Sequence, residues 1–469
     1  MSTAYIPTLP EKYLPPIHRN GTTLNKELFH KKVDLIAVFF PDSRRLQGFV
    51  KAYKSEFLNL RGTSNIAKDP TNPQRKVVLL NDKVTSVDLN SDNVQQNLAS
   101  EAVNFLKESE AVLEPYELQL NYDFWRLEEI LTATLPEDLL EEIPSSFTIV
   151  GHIAHFNLKE NYLPYKHLIG QAVIDKNPKI KTVVNKTSSI GTEFRTFPME
   201  VIAGEERFDV EQSESGCVFK FNFKNVYWNS RLQGEHNRLI ETYFKKGEVV
   251  CDVMAGVGPF AVPAGRNKTM VMANDLNPES YKYLVHNSKS NRATDFVKCF
   301  NIDGAEMIKK SSQLLMDWYD EKEGKITYQL GSRSKKRRGQ DSKKIETATE
   351  TLEMPRYISH YVMNLPDSAL TFLDNYVGIY SNETYKQFIK DKEFKLPYVH
   401  VYCFEKFSQD EVPVPTIEDL EGRVHKRINE IMQHTFEKSY LKFHLVRKVA
   451  PSKYMFCVSF ILPEELAFK

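Results

Sequence analysis

Cysteine is scarce in this 469-residue chain, and its five cysteines form no C-x-x-C pair. An odd, scattered set of thiols argues against a disulfide framework and against a zinc site, and it is typical of proteins in a reducing compartment. Long apolar runs are also missing, so no segment has the length of a membrane span. The proline-rich N-terminus lacks the apolar core of a secretory signal. These absences favour a protein with buried thiols and no membrane anchor.

An excess of charge of either sign is absent too, because 62 Lys and Arg balance 62 Asp and Glu. A balanced total identifies no partner, and it does not exclude nucleic acid, because cations can gather on one face. Residues 332–344 hold seven Lys or Arg and one Asp, within a polar stretch from about 320 to 355. This composition predicts a basic, disordered surface insertion, with a nucleic-acid arm or a nuclear-import patch as alternatives.

Three regions differ in their pattern. Residues 1–115 predict a small α+β domain with disordered patches such as residues 61–76. Residues 116–225 predict a second α+β domain, in which a helix within "DFWRLEEILTATLP" precedes short runs typical of strands. Those runs are "SFTIVGHIAHFNL", "LIGQAVIDK", "KTVVNKTS", "MEVIAG" and "CVFKFNF".

From residue 226 to 469 strands and helices alternate, which predicts an α/β fold with a doubly wound parallel sheet. The last two predicted strands are "YLKFHLVRKV" and "YMFCVSFIL". Because only the short segment "APSK" joins them, we expect an antiparallel hairpin at one edge of the sheet. The predicted helices are "PESYKYLVHNSKSN", "GAEMIKKSSQLLMDWYD", "SALTFLDNYV" and "IEDLEGRVHKRINEIMQ".

The stretch "CDVMAGVGPF" places a glycine turn directly after the first of these strands. Gly256 and Gly258 allow a tight turn and a close approach to a ligand. With Ala261 in the third place, the spacing is compatible with a dinucleotide fingerprint, so the glycines alone do not decide the ligand. Asp252 adds a negative charge where a pyrophosphate would lie, which favours a ligand with a cationic group.

Two further acidic residues end the next two strands. Asp275 is placed to bind a ribose diol, and Asp303 to accept from an adenine amino group. A ligand with adenosine, an amino-acid end and a cationic sulfur suits all three carboxylates, and S-adenosylmethionine has these parts. The alternative is that each Asp only caps the following helix.

Two motifs predict the groups that face the substrate. The fourth strand ends in Asn364-Leu365-Pro366-Asp367, where Asn364 offers a donor and an acceptor. This motif differs from the Asn/Asp-Pro-Pro-aromatic motif of amino-methyltransferases, so the target is not expected to be an exocyclic amine. Before the first strand, a helix from Ser230 would place Arg231 and Glu235 on one face. That pair predicts either a surface ion pair or a carboxylate base above the ligand.

Several motifs resemble the eukaryotic and archaeal tRNA (guanine-N1)-methyltransferases that modify guanosine 37, with the fungal enzymes most similar. They are "EFRTFP", "VYWNSRLQGEH", "CDVMAGVGPFAVPAG", "ANDLNPESYKYL", "NIDGAE", "HYVMNLPDSA" and "HLVRKVAPSKYMF". The resemblance covers residues from about 120 to the end. It implies a first domain that recognises the outer corner of tRNA, a middle domain that grips the anticodon stem, and a Rossmann-like class I methyltransferase domain.

The same resemblance implies a role for each matching residue. Glu235 corresponds to the general base at guanine N1, and Arg195 to the residue that stabilises charge on O6. Asn364 and Tyr227 correspond to residues that position the flipped-out guanine, and Arg231 to one that contacts the nucleotide. The residues implied to bind the cofactor are His236, Asp252, Gly256, Gly258, Asp275, Leu276, Asp303, Gly304 and Asn364. No metal is expected, because Glu235 and Arg195 cover proton removal and charge.

The partners implied are S-adenosylmethionine and a tRNA with guanosine at position 37. The resemblance also implies a monomer. Its expected location is the cytoplasm and nucleus, with a mitochondrial fraction. Three other functions stay open. A wybutosine-pathway aminocarboxypropyl transferase shares the fold but needs no base at N1. A non-catalytic RNA-binding protein would not need an acidic residue at the ends of three successive strands, as Asp252, Asp275 and Asp303 provide. A nicotinamide dehydrogenase is disfavoured by Asp252.

Overall fold

The computed structural model describes residues 9–19, 21–69, 72–187, 194–329, 348–381 and 394–469. The predicted basic segment 332–344 lies outside the described residues. The chain forms two compact units. The first comprises Met1–Phe147, Asn157–Val183 and Ile202–Gly204, and the second comprises Thr148–Phe156, Val184–Val201 and Glu205–Lys469. The division into three domains stays a prediction.

The N-terminal part of the first unit is an antiparallel sheet covered by short helices. The strands are β1 (Lys31–Phe39), β2 (Ile66–Lys68), β3 (Lys76–Leu79) and β4 (Val112–Leu120), in the order β2-β3-β1-β4. The helices are α1 (Ser43–Ala52), α2 (Asp92–Asn97) and α3 (Ser100–Glu108). Apolar residues of the helices, such as Phe49 and Leu106, join Val38 and Val78 of the sheet in one core.

The prediction of disorder across residues 61–76 is wrong for the part that contains β2. Ile66 pairs with Val78, and Lys68 pairs with Lys76, across the β2–β3 ladder. Arg75 donates to Asp69 at 2.5 Å and ties the two sides together. Composition misses this strand because its stability comes from pairing with β3 rather than from its own polar residues.

The next segment contains α4 (Leu127–Thr134) and α5 (Lys166–Lys176), with strands β5 (Thr148–Val150), β6 (Ile153–Phe156), β7 (Thr182–Lys186) and β8 (Met199–Gly204). The four strands form a sheet in the order β5-β6-β7-β8. The strand predicted at "LIGQAVIDK" is wrong, because these residues belong to α5. Its buried apolar side chains are Leu168, Ile169, Ala172 and Val173, and their spacing of three and four is helical.

The second unit continues with eleven further strands in the described ranges. They are β9 (Asp209–Glu214), β10 (Cys217–Asn222), β11 (Val249–Asp252), β12 (Met270–Asn274), β13 (Val297–Phe300), β14 (Lys325–Gln329), β15 (Thr349–Glu353), β16 (His360–Met363), β17 (Tyr398–Lys406), β18 (Lys442–Ala450) and β19 (Lys453–Ile461). Its helices in the described ranges are α6 (Gln233–Tyr243), α7 (Ala261–Arg266), α8 (Pro278–Ser290), α9 (Gly304–Glu321), α10 (Ile417–Met432) and α11 (Glu464–Ala467).

Seven of these strands form the central sheet, in the order β13-β12-β11-β16-β17-β19-β18. The first five are parallel, whereas β19 is antiparallel to both β17 and β18. Both predictions, the doubly wound sheet and the edge hairpin, are confirmed. Strands β9 and β10 pair separately. The carboxyl ends of β11, β12, β13 and β16 therefore meet at one edge, next to the switch in strand order.

Both faces of the central sheet are covered. Along β12, Met270 and Met272 enter one core, while Val271 and Ala273 enter the other. This alternation explains why the parallel strands are apolar along their whole length. Within the described ranges, no helix is both long enough and apolar enough to cross a bilayer.

The polar stretch from about 320 to 355 is ordered at both of its ends. Helix α9 extends to Glu321, and β14 pairs antiparallel with β15. Ile326 and Tyr328 alternate inward and are buried, which is the period of a half-buried strand. Disorder was therefore the wrong prediction for these flanks.

Short 3-10 turns connect several elements, and one replaces a predicted α-helix. Their bounds are Glu11–Tyr13, Lys26–Leu28, Lys54–Glu56, Tyr122–Phe124, Glu137–Glu142, Glu160–Tyr165, Ser230–Leu232, Ala369–Tyr376 and Lys438–Tyr440. The α-helix predicted within "SALTFLDNYV" is a 3-10 helix. Its buried residues Leu370, Leu373 and Tyr376 recur every three positions, so three residues per turn align them toward the core.

Candidate active site

The glycine turn lies between β11 and α7, and its two glycines have different roles. Both have positive φ, +57° at Gly256 and +98° at Gly258. A Cβ on Gly258 would lie 2.7 Å from Cγ2 of Val262 and 2.8 Å from Cδ1 of Leu284, whereas a Cβ on Gly256 would have no atom within 4 Å. Gly258 is therefore required by packing, and Gly256 leaves the backbone open to a ligand.

Asp275 connects the glycine turn to the end of β12. Its Oδ2 accepts from the amide of Gly256 at 2.8 Å, and its Oδ1 accepts from the amide of Asn277 at 3.0 Å. Burial raises the pKa of Asp275. The helix-cap alternative is wrong here, because the side chain that caps α8 is Asn277. Asp275 instead fixes two strand ends against each other, beside the exposed Leu276.

Asp303 does cap a helix. Its Oδ1 accepts from the amides of Ala305 at 2.8 Å and Glu306 at 3.2 Å, at the start of α9. The next residue, Gly304, is buried against Phe372, whose Cε1 would lie 3.1 Å from an added Cβ. Both cap bonds fall on one oxygen of an exposed side chain, so the other oxygen can still accept from a ligand.

Asp252 is a buried carboxylate without a partner. The residue is fully buried at the end of β11, and within the described part of the chain neither carboxylate oxygen makes a hydrogen bond of normal geometry, although the backbone of Met254 is close enough to oppose the rise of its pKa. Burial raises the pKa of Asp252 to about 8, and the charge of Asp275 adds to the effect. A buried carboxyl group in this state is destabilising unless a partner arrives. The site therefore fits a cationic ligand such as S-adenosylmethionine.

Asp252→Asn is expected to stabilise the unliganded protein and to weaken cofactor binding. Because the pKa of Asp252 is raised above its ordinary value of 3.8, the folded state loses stability as the pH rises from about 4 to 8. Asparagine removes that loss, so the gain in Tm should be larger at about pH 9 than at about pH 5. At about pH 9, the Kd of S-adenosylmethionine should rise about tenfold or more.

The control for this prediction is Asp317→Asn, the same substitution at an exposed position of α9. It should change neither the pH dependence of Tm nor the Kd of the cofactor. Equal Tm gains for Asp252→Asn at both pH values would contradict the assignment of Asp252 as an unpaired, buried acid.

Arg195 is hydrogen-bonded to the loop after β16, which is far from it in sequence and carries the predicted residue Asn364. Arg195 donates from Nη1 to Oδ2 of Asp367 at 2.7 Å and from Nη2 to Oγ of Ser368 at 3.1 Å. These bonds connect positions 172 and 173 residues apart. Arg195 has a φ of +57°, which is uncommon for a residue with a side chain and recurs at functional sites.

Asn364 begins the same loop, and its Oδ1 is buried without a hydrogen-bond partner in the described ranges. The carbonyl of Pro366 accepts from the amide of Phe404 on β17 at 2.8 Å, which fixes the loop to the sheet. The loop therefore carries an unpaired acceptor and binds the guanidinium of Arg195. The hydrogen bond from Arg195 also lowers the pKa of Asp367.

Glu235 lies in the first turn of α6 and is buried. Arg238 donates to both of its oxygens at 2.6 Å, and the hydroxyl of Tyr402 donates to Oε1 at 2.7 Å. His444 on β18 places Nε2 3.3 Å from Oε2. The surface ion pair of Glu235 with Arg231 is therefore a wrong prediction. Arg231 lies in the preceding 3-10 turn and is exposed, whereas Arg238 lies one turn further along α6.

The Glu235 group lies beside the glycine turn. The ring of Phe260, which ends the turn, contacts the imidazole of His236 edge-on at 4.6 Å between centroids and lies 6.1 Å from the ring of Tyr402. His236 is buried, with Nδ1 2.6 Å from Oε1 of Glu214. Glu235 and His236 are thus held between the turn and β17.

Tyr227 precedes this group and is 39% exposed. Its hydroxyl accepts from Nδ2 of Asn229 at 3.5 Å, and burial of the hydroxyl end raises its pKa. An exposed ring face of this kind can stack on a base.

Arg238, Tyr402 and His444 are not among the predicted site residues. The spacing of Glu235 and Arg238 is a local signal, because residues three apart are neighbours on a helix. Tyr402 and His444 reach Glu235 from strands more than 160 positions away, and no local pattern predicts that contact. The described residues contain no group of three or more His, Cys, Asp or Glu side chains that could hold a metal ion.

A separate cavity of about 970 Å³ lies in the first unit. Its lining includes Arg61, Phe124 and Lys176, and it contains none of the predicted site residues.

Two family models match the chain. The model described as the TRM5/TYW2 methyltransferase domain matches residues 210–325, and the one described as the TYW2 N-terminal domain matches residues 127–207. Among solved structures, a complex of aTrm5 with tRNALeu is similar at a TM-score of 0.56 and 17% identity, over 92% of this chain and all of that one. Trm5b from Pyrococcus abyssi is similar at a TM-score of 0.53 and 22% identity, over 91% and 99%. These likenesses confirm the fold.

Curated relatives match nearly end to end. A tRNA (guanine(37)-N(1))-methyltransferase of Candida albicans is 46% identical over 98% of this chain and 99% of its own length. Enzymes with the same name from Saccharomyces cerevisiae and Schizosaccharomyces pombe are 46% and 43% identical, over 96% and 95% of this chain and 94% of each relative. The chain therefore belongs to the tRNA (guanine(37)-N(1))-methyltransferase family.

Proposed function

We propose that this protein transfers the methyl group of S-adenosylmethionine to N1 of guanosine 37 in tRNA. The strongest structural support is the position of Glu235, a buried carboxylate held beside the glycine turn by Arg238 and Tyr402. The names of the curated relatives support the same reaction and the same nucleotide. The buried carboxylate of Asp252, which has no hydrogen-bond partner of normal geometry among the described residues, supports a cationic donor.

Guanine N1 carries a proton, and the ring nitrogen is a poor nucleophile until that proton leaves. In our proposal, Glu235 accepts the proton. Oε1 accepts from both Arg238 and Tyr402, whereas the one hydrogen bond that Oε2 accepts within the described ranges comes from Nε of Arg238, so Oε2 is the oxygen proposed for this role. The contact of Oε2 with His444 is the longest of the group, and the His444 side chain is 43% exposed. We infer that the N1–H of the substrate takes the place of His444.

Negative charge moves onto O6 as N1 is deprotonated. Arg195 is proposed to donate to O6, since only two of the nitrogens of its guanidinium are used by Asp367 and Ser368. A donor fixed in advance stabilises developing charge without reorganisation. The hydrogen bonds that Arg195 donates to Asp367 and Ser368 provide that fixation, and they hold its guanidinium against the loop that carries Asn364.

The remaining residues are proposed to hold the two substrates. Asn364, whose Oδ1 has no hydrogen-bond partner among the described residues, and the partly exposed Tyr227 are proposed to position the guanine. The guanine must leave the base stack to expose N1. S-adenosylmethionine supplies the electrophilic methyl group when it is bound. The residues proposed to hold it are His236, Asp252, Gly256, Gly258, Asp275, Leu276, Asp303 and Gly304.

The test is methyl transfer to unmodified tRNA that carries guanosine 37, with label in the methyl group and a second reaction with label in the amino-acid arm of the donor. Methyl label in the tRNA, together with a reverse-transcription stop beside position 37, is the expected result. A tRNA with adenosine at position 37 is the matched control and should stay unlabelled. Transfer of the amino-acid arm instead would support the aminocarboxypropyl transferase, and transfer of neither label would contradict the proposal.

A further inference from the structure

Arg447 is a half-buried cation on the edge strand β18. The ladder between β18 and β19 is irregular on both sides of it, with register shifts at Leu445/Arg447 and at Lys448/Ala450. Such bulges turn a side chain away from its regular direction and are common next to active sites. The Nε atom of Arg447 is buried and, within the described part of the chain, has no hydrogen-bond partner.

The charges around Arg447 do not compensate it. The titratable groups of the described residues that act on it are Arg231, which adds like charge, and the phenol of Tyr227. Burial lowers the pKa of Arg447, and Arg231 lowers it further. Two guanidinium groups therefore lie near each other, without a carboxylate between them in the described ranges.

Arg231 also acts on a second group, His155, together with Lys186. Burial lowers the pKa of His155 to about 4, with further lowering by Lys186 and Arg231. Its ring stacks on Phe197 at 5.0 Å, and its Nε2 is buried without a partner among the described residues. Arg447, Arg231, Lys186 and the neutral His155 form what we call the cationic cluster.

A guanidinium nitrogen that is buried without a partner is destabilising, and the planar set of donors matches the oxygens of a phosphate. The proposed substrate carries a phosphate at every nucleotide. The phenol of Tyr227, proposed to position the guanine, is one of the groups whose charge affects the pKa of Arg447. The phosphate that reaches this cluster should therefore belong to the flipped nucleotide or to its neighbour.

We propose that Arg447 and Arg231 bind one of the two backbone phosphates that flank guanosine 37, and so hold the strand while the base is flipped out. This inference rests on the proposed function, because it takes its phosphate from the tRNA. Phosphate contacts of this kind fix position and register, whereas base contacts give specificity.

The test combines Arg447→Met with a tRNA in which one flanking phosphate is replaced by a neutral methylphosphonate. In the wild-type protein, neutralising the correct phosphate should raise the Kd of the tRNA about tenfold. Arg447→Met should raise the Kd by a similar factor for unmodified tRNA, and the methylphosphonate should then add little. The slope of log Kd against log salt should also fall by about 0.7–0.9.

Lys448→Met is the matched control, since Lys448 is the next residue of β18 and is exposed. The methylphosphonate effect should remain complete in this variant. Arg231→Met, at an exposed position, repeats the test if Arg447→Met is unstable. The proposal would be overturned if the methylphosphonate raised the Kd of the tRNA by the same factor in both arginine variants as in the wild-type protein. A rise in the Kd of S-adenosylmethionine with no change for tRNA would also overturn it, because the anion would then be the carboxylate of the cofactor.

These measurements read binding, so they are independent of turnover. If the coupling is found but no methyl group is transferred, the proposed function fails and the phosphate site stands. If methyl transfer is normal but the coupling is absent, the phosphate site fails alone.

Discussion

Glu235→Gln should slow methyl transfer by about 10²–10⁴-fold, the range for loss of a general base. Glutamine has the shape of glutamate, and its oxygen can still accept from Arg238 and Tyr402, the donors that hold Glu235. It cannot accept the N1 proton as a carboxylate does. The loss should therefore appear in the single-turnover rate, with the Kd values of S-adenosylmethionine and tRNA nearly unchanged.

The matched control is Glu405→Gln. Glu405 is also a buried glutamate of the second unit, on β17, and its Oε2 accepts from Nη1 of Arg427 at 2.7 Å. Both variants replace one carboxylate of a glutamate–arginine pair, so both should lose some stability. Only Glu235→Gln should lose the chemical step. Equal rates for the two variants, after correction for folded protein, would show that Glu235 is a structural residue.

Arg195→Ala should lower the single-turnover rate by about 10²–10³-fold, the effect of removing one fixed donor at a developing oxyanion. The variant also releases Asp367 and Ser368, so the loop with Asn364 loses an anchor. Arg195→Lys should recover part of the rate, because one ammonium keeps the charge but cannot bond both loop residues and O6 at once.

Arg207→Ala is the control for Arg195. Arg207 is an exposed arginine of the same unit, 3.6 Å from the carboxylate of Glu205. Its loss should leave the rate within about twofold, as expected for an exposed ion pair. A variant of Arg195 that raises only the KM for tRNA would assign it to binding and would contradict its role at O6.

The parts of the site that lie close together in sequence were predictable. The strand, glycine turn and helix around Gly256 form one local pattern, and the acidic residues after β11 and β12 follow from where each apolar run stops. The interactions that each carboxylate makes could not be predicted in the same way. Asp303 caps its helix, whereas Asp252 has no partner among the described residues, and burial of that kind depends on the whole sheet.

The supports of Glu235 could not be predicted from the sequence, because they combine one local and two distant contacts. Arg238 reaches it along the helix, but Tyr402 and His444 come from β17 and β18. The 3-10 turn before α6 also changed the partner, since it removed Arg231 from the face that a continuous helix would give it. The spacing of apolar residues along the sequence does not predict where a 3-10 turn gives way to an α-helix.

Tertiary pairing explains the errors elsewhere in the fold. Strand β2 lies in a polar segment and is stabilised by β3, while α5 is rich in β-branched residues but buries a helical face. The resemblance to a family supplied the roles of Arg195 and Tyr227, which no local pattern assigns. The monomeric state, the location in cytoplasm and nucleus and the mitochondrial fraction stay predictions.

The most direct test of the central claim is the pH dependence of the single-turnover rate in the wild-type protein and in Glu235→Gln. If Glu235 removes the N1 proton, the variant must wait for guanine to lose that proton to water. Its rate should then rise about tenfold per pH unit below the pKa of guanine N1, so that its deficit narrows as the pH rises. A deficit that stays constant across the same pH range would contradict Glu235 as the general base.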